Sequence, residues 1–193
     1  MRFRLVFIPL FLVFFFVAGT AGATTVVRLT LPEMVKGSHT IVLARVVSAQ
    51  PVSIGKTGRN IQTHVRLNVE SVLKGVSTKK SLTLKLAGGR LGKWAIHVPG
   101  MPSFSAGEQV VLFLEKTSDN WALTGLAQGK FSIYMGANNQ KLVRRNLGGM
   151  HFVGFDKQGR FQRRSQPTDK TTWLLSDLLD QVKVLVLTHS KKH

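Results

Sequence analysis

The residue types able to do chemistry are few in this chain, and their spacing excludes most familiar arrangements. Ser53-Ile54-Gly55-Lys56-Thr57-Gly58 contains both an S-x-x-K and a K-T-G. In penicillin-binding enzymes the serine stands on a helix and K-T-G on a distant strand, so two elements overlapping in one short stretch cannot face each other across a pocket. The same stretch holds G-K-T, but Gln50 occupies the position where a phosphate-binding loop needs its first glycine. There is no G-x-S-x-G elbow for a serine hydrolase and no cysteine for a thiol nucleophile.

Metal and acid–base chemistry are equally thin. The six histidines, His39, His64, His97, His151, His189 and His193, include no H-E-x-x-H and no pair spaced to share one face of an element. A zinc site would have to be assembled from distant strands, with His64 and His97 as the strand-borne candidates. Of the nine acids, Glu33, Asp119, Asp156, Asp177 and Asp180 fall in expected turns or helices, leaving Glu70, Glu108, Glu115 and Asp169. Glu70 and Glu108 adjoin strand ends, where ion pairs with lysine are the expected role rather than a glycosidase pair held across a cleft. We therefore expect no catalytic residues, no cofactor and no metal.

Charge is the feature with functional reach. The chain carries 27 Lys and Arg against 9 Asp and Glu, a formal +18, a bias that bears on partners rather than on fold. Lys141, Arg144, Arg145, Arg160, Arg163 and Arg164 concentrate in one stretch opposed only by Asp156, and form the candidate anion-binding set. Trp94 and Tyr134 are the aromatics expected to be exposed beside such a surface.

The elements that would hold these residues are mostly strands. His39 to Ala49 and Ile61 to Val69 alternate with period two, separated by an expected loop from Pro51 to Asn60. Ser81 to Leu86, Trp94 to Val98, Gln109 to Leu114 and Trp121 to Leu126 follow, the Gln109 strand being apolar enough to be central. Phe131 to Met135 should pair with Lys141 to Arg145, and regularity fades from Asn146 to Asp169. A short helix is expected at Pro32–Val35, ended by Gly37. Leu175, Leu178, Leu179, Val182, Leu185 and Val186 mark a C-terminal amphipathic helix at about 171–188, with Thr171 or Thr172 as its N-cap. The fold class is mainly β: a small antiparallel, OB-like barrel or sandwich with a short N-terminal helix and a C-terminal helix.

Three motifs carry a resemblance: Val72-Leu73-Lys74-Gly75, Ala106-Gly107-Glu108-Gln109-Val110-Val111-Leu112-Phe113-Leu114, and Gly125-Leu126-Ala127-Gln128-Gly129-Lys130-Phe131. Their order resembles a group of uncharacterised exported bacterial proteins. Over roughly 31–134 it is distantly similar to the OB-type barrel of netrin modules and tissue inhibitors of metalloproteinases. The resemblance implies a fold more than an activity. Those inhibitors chelate the protease zinc with an N-terminal cysteine; this chain has none, so that mechanism does not carry over. On the residues alone, Gly75 and Gly107 are turn glycines, Phe113 and Phe131 core aromatics, and Lys130 a solvated strand residue.

The first 23 residues look like an export signal. Arg2 and Arg4 precede an apolar run from Leu5 to Ala18, and Ala21-Gly22-Ala23 offers small residues for cleavage before Thr24. The competing reading is an uncleaved anchor, with membrane contact only through that segment. Residues 24–193 would then form one periplasmic or extracellular domain, held together without disulfides and with no nucleotide cofactor. Three functions are expected in order: a non-enzymatic domain engaging an envelope or secreted protein, as inhibitor or accessory; a basic module for lipopolysaccharide, polysaccharide or nucleic acid; and a metal-dependent hydrolase.

Overall fold

The computed structural model of the chain describes residues 24–55, 60–75, 80–118, 120–156, 158–164 and 172–190. The expected leader and the tail 191–193 lie outside them, as do 165–171. The elements run β1 (Thr24–Val27), α1 (Leu31–Gly37), β2 (Thr40–Ile54), β3 (Asn60–Lys74), β4 (Ser81–Ala87), β5 (Gly89–Leu91) and β6 (Trp94–Ile96). They continue with β7 (Gln109–Lys116), β8 (Trp121–Leu123), β9 (Lys130–Met135), β10 (Lys141–Arg144), β11 (Met150–Phe155), β12 (Phe161–Arg164), β13 (Trp173–Leu174) and α2 (Leu175–Ser190).

Five of these strands close a barrel. β2 pairs with β3, β3 with β4, and β7 with both β2 and β8, all antiparallel; a parallel contact at Leu84 and Trp121 joins β4 to β8. Counting barrel strands alone, the order is first, second, third, fifth, fourth and back to first, the Greek-key closure of an OB-like barrel. Alternation fills it: Leu82, Leu84 and Leu86 of β4 point inward with Val42, Ala44, Val46, Val65, Leu67, Val110, Leu112 and Leu114. The residues between them on β4, Ser81, Thr83, Lys85 and Ala87, are exposed. Three register shifts along β2 and β3 give these long strands the local bends that closure requires.

β7 has no solvent face over most of its length. Val110, Leu112 and Leu114 enter the barrel, whereas Val111 and Phe113 point outward into a second core with Met34 and Val35 of α1 and Leu175, Leu178 and Val182 of α2. This explains why the central strand reads as a continuous apolar run rather than an alternating one. β9, β10 and β13 extend the sheet from β7 under the helices. There Phe131 packs between Phe113 and Trp173, with ring centres 5.5 and 5.8 Å away. A separate three-stranded sheet, β1-β11-β12, closes over Leu126 and Ala127 through Val26, Leu147, Met150 and Phe152.

The helices start where local chemistry allows. Thr30 and Glu33 form a reciprocal capping box on α1, with Pro32 in its first turn. At the other end Lys74 Nζ donates to the carbonyls of Val35 and Ser38 at 2.6 and 2.7 Å, completing the end of the helix with a cation.

Several sequence expectations need correction. Pro51 to Ile54 belong to β2 rather than to a loop; pairing with β7 ends at Arg45, so the proline falls where that edge carries no β7 ladder. β6 stops at Ile96 and β8 at Leu123, each shorter than expected. The region from Asn146 onward is not irregular throughout: it forms β10's continuation into the β11–β12 hairpin, whose core partners are β1 and Leu126, distant in sequence. α2 begins at Leu175, so Thr172 does not cap it; Trp173 and Leu174 are drawn into pairing with β10 instead. Thr171 lies outside the described residues. Gly75 and Gly107 do turn the chain at positive φ, and Phe113 and Phe131 are core residues. Among the described residues no helix is long and apolar enough to cross a membrane.

Because Phe113 links both helices to the barrel's central strand, Phe113→Ala is expected to destabilise the fold by about 3–5 kcal/mol in urea unfolding. A loss below about 1 kcal/mol would show that the outer core does not depend on it.

Candidate cleft beside the barrel

On β9, alternation turns Phe131 and Ile133 to the helices and leaves Lys130, Ser132 and Tyr134 on the opposite side. These three, with the 97–108 segment and Arg144, Arg145 and Asn146, line an open cleft of about 750 Å³. Pairing of Arg144 with Ser132 and of Leu142 with Tyr134 fixes β10 as one wall.

The cleft floor is an ion pair. Lys130 Nζ lies 2.7 Å from Glu108 Oε1 and 2.9 Å from Oε2, and donates to the Ser103 carbonyl at 2.6 Å. It also sits 4.3 Å from the centre of the Phe104 ring. Glu108 accepts from Ser132 Oγ at 2.7 Å and from the Ser105 amide at 3.2 Å. Lys130 is only 8% exposed, so the solvated role expected from the sequence is overturned. Burial lowers its pKa, and the hydrogen bond and charge of Glu108 oppose that shift. The pair ties the 103–108 segment to β9 and gives the cleft a fixed, nearly neutral base.

The preceding residues explain why the lysine is there. Gly125 and Leu126 adopt positive φ, turning the chain from β8 into a 3-10 turn at Leu126–Gly129. Gln128, 1% exposed, accepts from the Leu29 amide at 2.8 Å and donates to the Val27 carbonyl at 3.0 Å, tying the N-terminal segment to the barrel. A Cβ at position 129 would stand 2.5 Å from the Thr124 carbonyl oxygen and 3.0 Å from that of Phe113. Gly129 is therefore the residue that lets this turn lie against β7. Sequence reasoning marked Gly125–Phe131 as a motif but missed Gln128 and Lys130 as buried polar anchors. The available signal was a lysine set between a glycine turn and a core phenylalanine, with Glu108 opening the neighbouring strand.

The six basic residues singled out in the sequence separate in space by element. Lys141 and Arg144 lie on β10 and Arg145 just after it, whereas Arg163 and Arg164 belong to β12 in another sheet and Arg160 precedes it. Of these, Arg144 and Arg145 line the cleft. Arg144 is exposed, its guanidinium 5.0 Å from the Tyr134 ring, whose hydroxyl bonds Thr172 Oγ1 at 2.9 Å. Arg145 is half-buried, 5.1 Å from the Phe131 ring centre and 6.0 Å from that of Trp173; burial and the charge of Arg28 push its pKa to about 10, so it stays charged at neutral pH. Lys141 Nζ donates to Gln109 Oε1 at 3.4 Å. Arg160 pairs with Asp156 at 2.9 Å, and Arg163 hydrogen-bonds His151 Nδ1 at 3.0 Å.

Other candidate groups lead elsewhere. Glu70 bonds Arg45 at 3.0 Å and accepts from Gln109 Nε2, so its partner cation is an arginine. His97 lines the cleft just after β6, while His64 stands on β3 and is not part of the lining. Among the described residues no three His, Asp or Glu side chains gather as a metal-binding group. Comparison with known protein families, with characterised proteins and with solved structures returns no match to the chain.

Removing one partner of the floor pair leaves the other charge buried. Glu108→Ala is expected to cost roughly 2–4 kcal/mol in denaturant unfolding, and a double change to apolar residues less than that. Since burial sets the folded Lys130 pKa below the ordinary 10.5, the unfolded chain keeps the proton longer. Stability from this group therefore rises with pH across that window. Wild type should gain stability relative to Lys130→Met between neutral pH and 10.5; a difference that falls with pH would contradict the assignment.

Proposed function

We propose that this chain is an exported, non-enzymatic binding domain that receives an acidic group, carboxylate or phosphate, in the cleft beside β9 and β10. The acidic group would be carried by an envelope polymer or by an exposed segment of an exported protein. The observation that carries the reading is the state of the cleft's ionisable groups. Glu108 is already neutralised by Lys130, so the exposed guanidinium of Arg144 meets an incoming anion without a competing carboxylate on the floor.

Rigidity supports the same reading. Arg144 lies over Tyr134, which is itself tethered to Thr172, so ordering the side chain costs less on binding. Ser132 donates to Glu108, whose charge Lys130 offsets while also holding the Ser103 carbonyl, an arrangement that favours a structural floor over an activated serine. The leader-like N-terminus and the strong positive charge fit an anionic partner outside the cytoplasm.

The test is retention and affinity of the folded protein on a phosphate polyanion, measured across a salt series. Arg144→Glu is expected to weaken binding by roughly tenfold or more and to reduce the salt slope by about one. A paired Arg160→Glu, Arg163→Glu variant on the other sheet should bind within about twofold of wild type. Loss in the second variant with none in the first would overturn the cleft as the site. Competition by a soluble acidic peptide but not by polyphosphate would identify a protein as the source of the acidic group, and the reverse a polymer.

A further inference from the structure

We propose that the β5–β6 hairpin is an interfacial anchor that docks the protein on an anionic phospholipid bilayer. Residues 90–95 are six consecutive exposed positions joining two three-residue strands. The base of the hairpin is fixed: a Cβ at Gly89 would touch Thr63, Pro51 and Ile61 of the β2–β3 ribbon. The tip is not covered: Gly92 turns it at φ +58° with nothing within 4 Å of its Cβ position. Leu91 and Trp94 are direct cross-strand partners and therefore share one face, 39% and 61% exposed. Trp94 is the most exposed large aromatic among the described residues.

The charge around this apolar tip decides its partner. Lys93 Nζ stands 5.6 Å from the Trp94 ring, and Arg90 is exposed two positions before Gly92. Arg90 and Lys93 are the hairpin's only charged residues, and the sequence has no carboxylate between Glu70 and Glu108. A convex tryptophan–leucine pair flanked by cations fits the headgroup layer, where an indole sits with its apolar body inward and basic side chains reach anionic phosphates. A folded protein partner would have to supply a matching acidic groove, whereas a bilayer offers apolar depth and negative charge together. The hairpin contributes no residue to the cleft, whose lining begins at His97, just after β6.

The chain has no cysteine, so one introduced thiol reports on the hairpin alone. The full chain carrying Ala95→Cys, labelled with a polarity-sensitive dye, is mixed with vesicles of phosphatidylglycerol in phosphatidylcholine, or of phosphatidylcholine alone. The expected result is a blue shift with the anionic vesicles only, reversed on raising salt from about 50 to about 500 mM. Adding Trp94→Ala should weaken vesicle affinity by roughly tenfold, while Leu187→Ala on the exposed side of α2 leaves it unchanged. No dye response, an equal response to soluble polyphosphate, or a response insensitive to Trp94→Ala would overturn the proposal. Circular dichroism of each variant establishes that the fold is retained. Arg144→Glu should leave the dye response intact, so failure of the cleft reading and failure of this one are distinguishable.

Discussion

The structure depends on one strand serving two cores. β7 sends Val110, Leu112 and Leu114 into the barrel and Val111 and Phe113 into the layer beneath the helices. It pairs with β2 and β8 to close the barrel and with β9 to extend the sheet. No polar residue can stand in its middle, because each face is sealed from water and an unpaired polar group there would cost several times what a hydrogen bond returns. The barrel, the helical layer and the β9–β10 wall are therefore coupled through the same backbone.

That constraint also explains the cleft. The sheet beyond β7 is covered by helices on one side only, so β9 must present polar groups on the other. Lys130 and Ser132 occupy those positions and are satisfied by Glu108, which stands immediately before β7 and is held by the Ser105 amide. The same turn that delivers Lys130 uses Gln128 to hold Val27 and Leu29. The N-terminal segment, the 103–108 segment and the cleft floor are thus joined by buried polar contacts, and Arg144 stands on the wall above them.

Much of this was legible in the chain, for identifiable reasons. The alternation in β3 and β4 and the apolar run of β7 are local and strong, and they lead directly to a small barrel of the OB type. The Phe131–Met135 and Lys141–Arg145 pairing follows from the glycine and asparagine turn between them. What escaped was decided by distant partners. β11 is a strand because β1 lies alongside it from more than 120 residues away. Trp173 and Leu174 add to β10 instead of opening a helix, and Pro51 is admitted to a strand because β7 has ended. The basic cluster was visible as composition, but strand order divides it between two sheets and leaves Arg144 and Arg145 at the cleft. Lys130 was misread because charge alone suggests solvent, while its burial depends on an acid 22 positions earlier.

The most direct test of the cleft as a binding site is nuclear magnetic resonance of the isotope-labelled protein titrated with short polyphosphate and with an acidic peptide. The account predicts shifts concentrated on the Arg144 side-chain Nε–H and on the amides of Lys130, Ser132 and Tyr134. Shifts centred instead on Arg160 and Arg163, or spread evenly over every exposed cation, would contradict it and make the positive charge a general property of the surface.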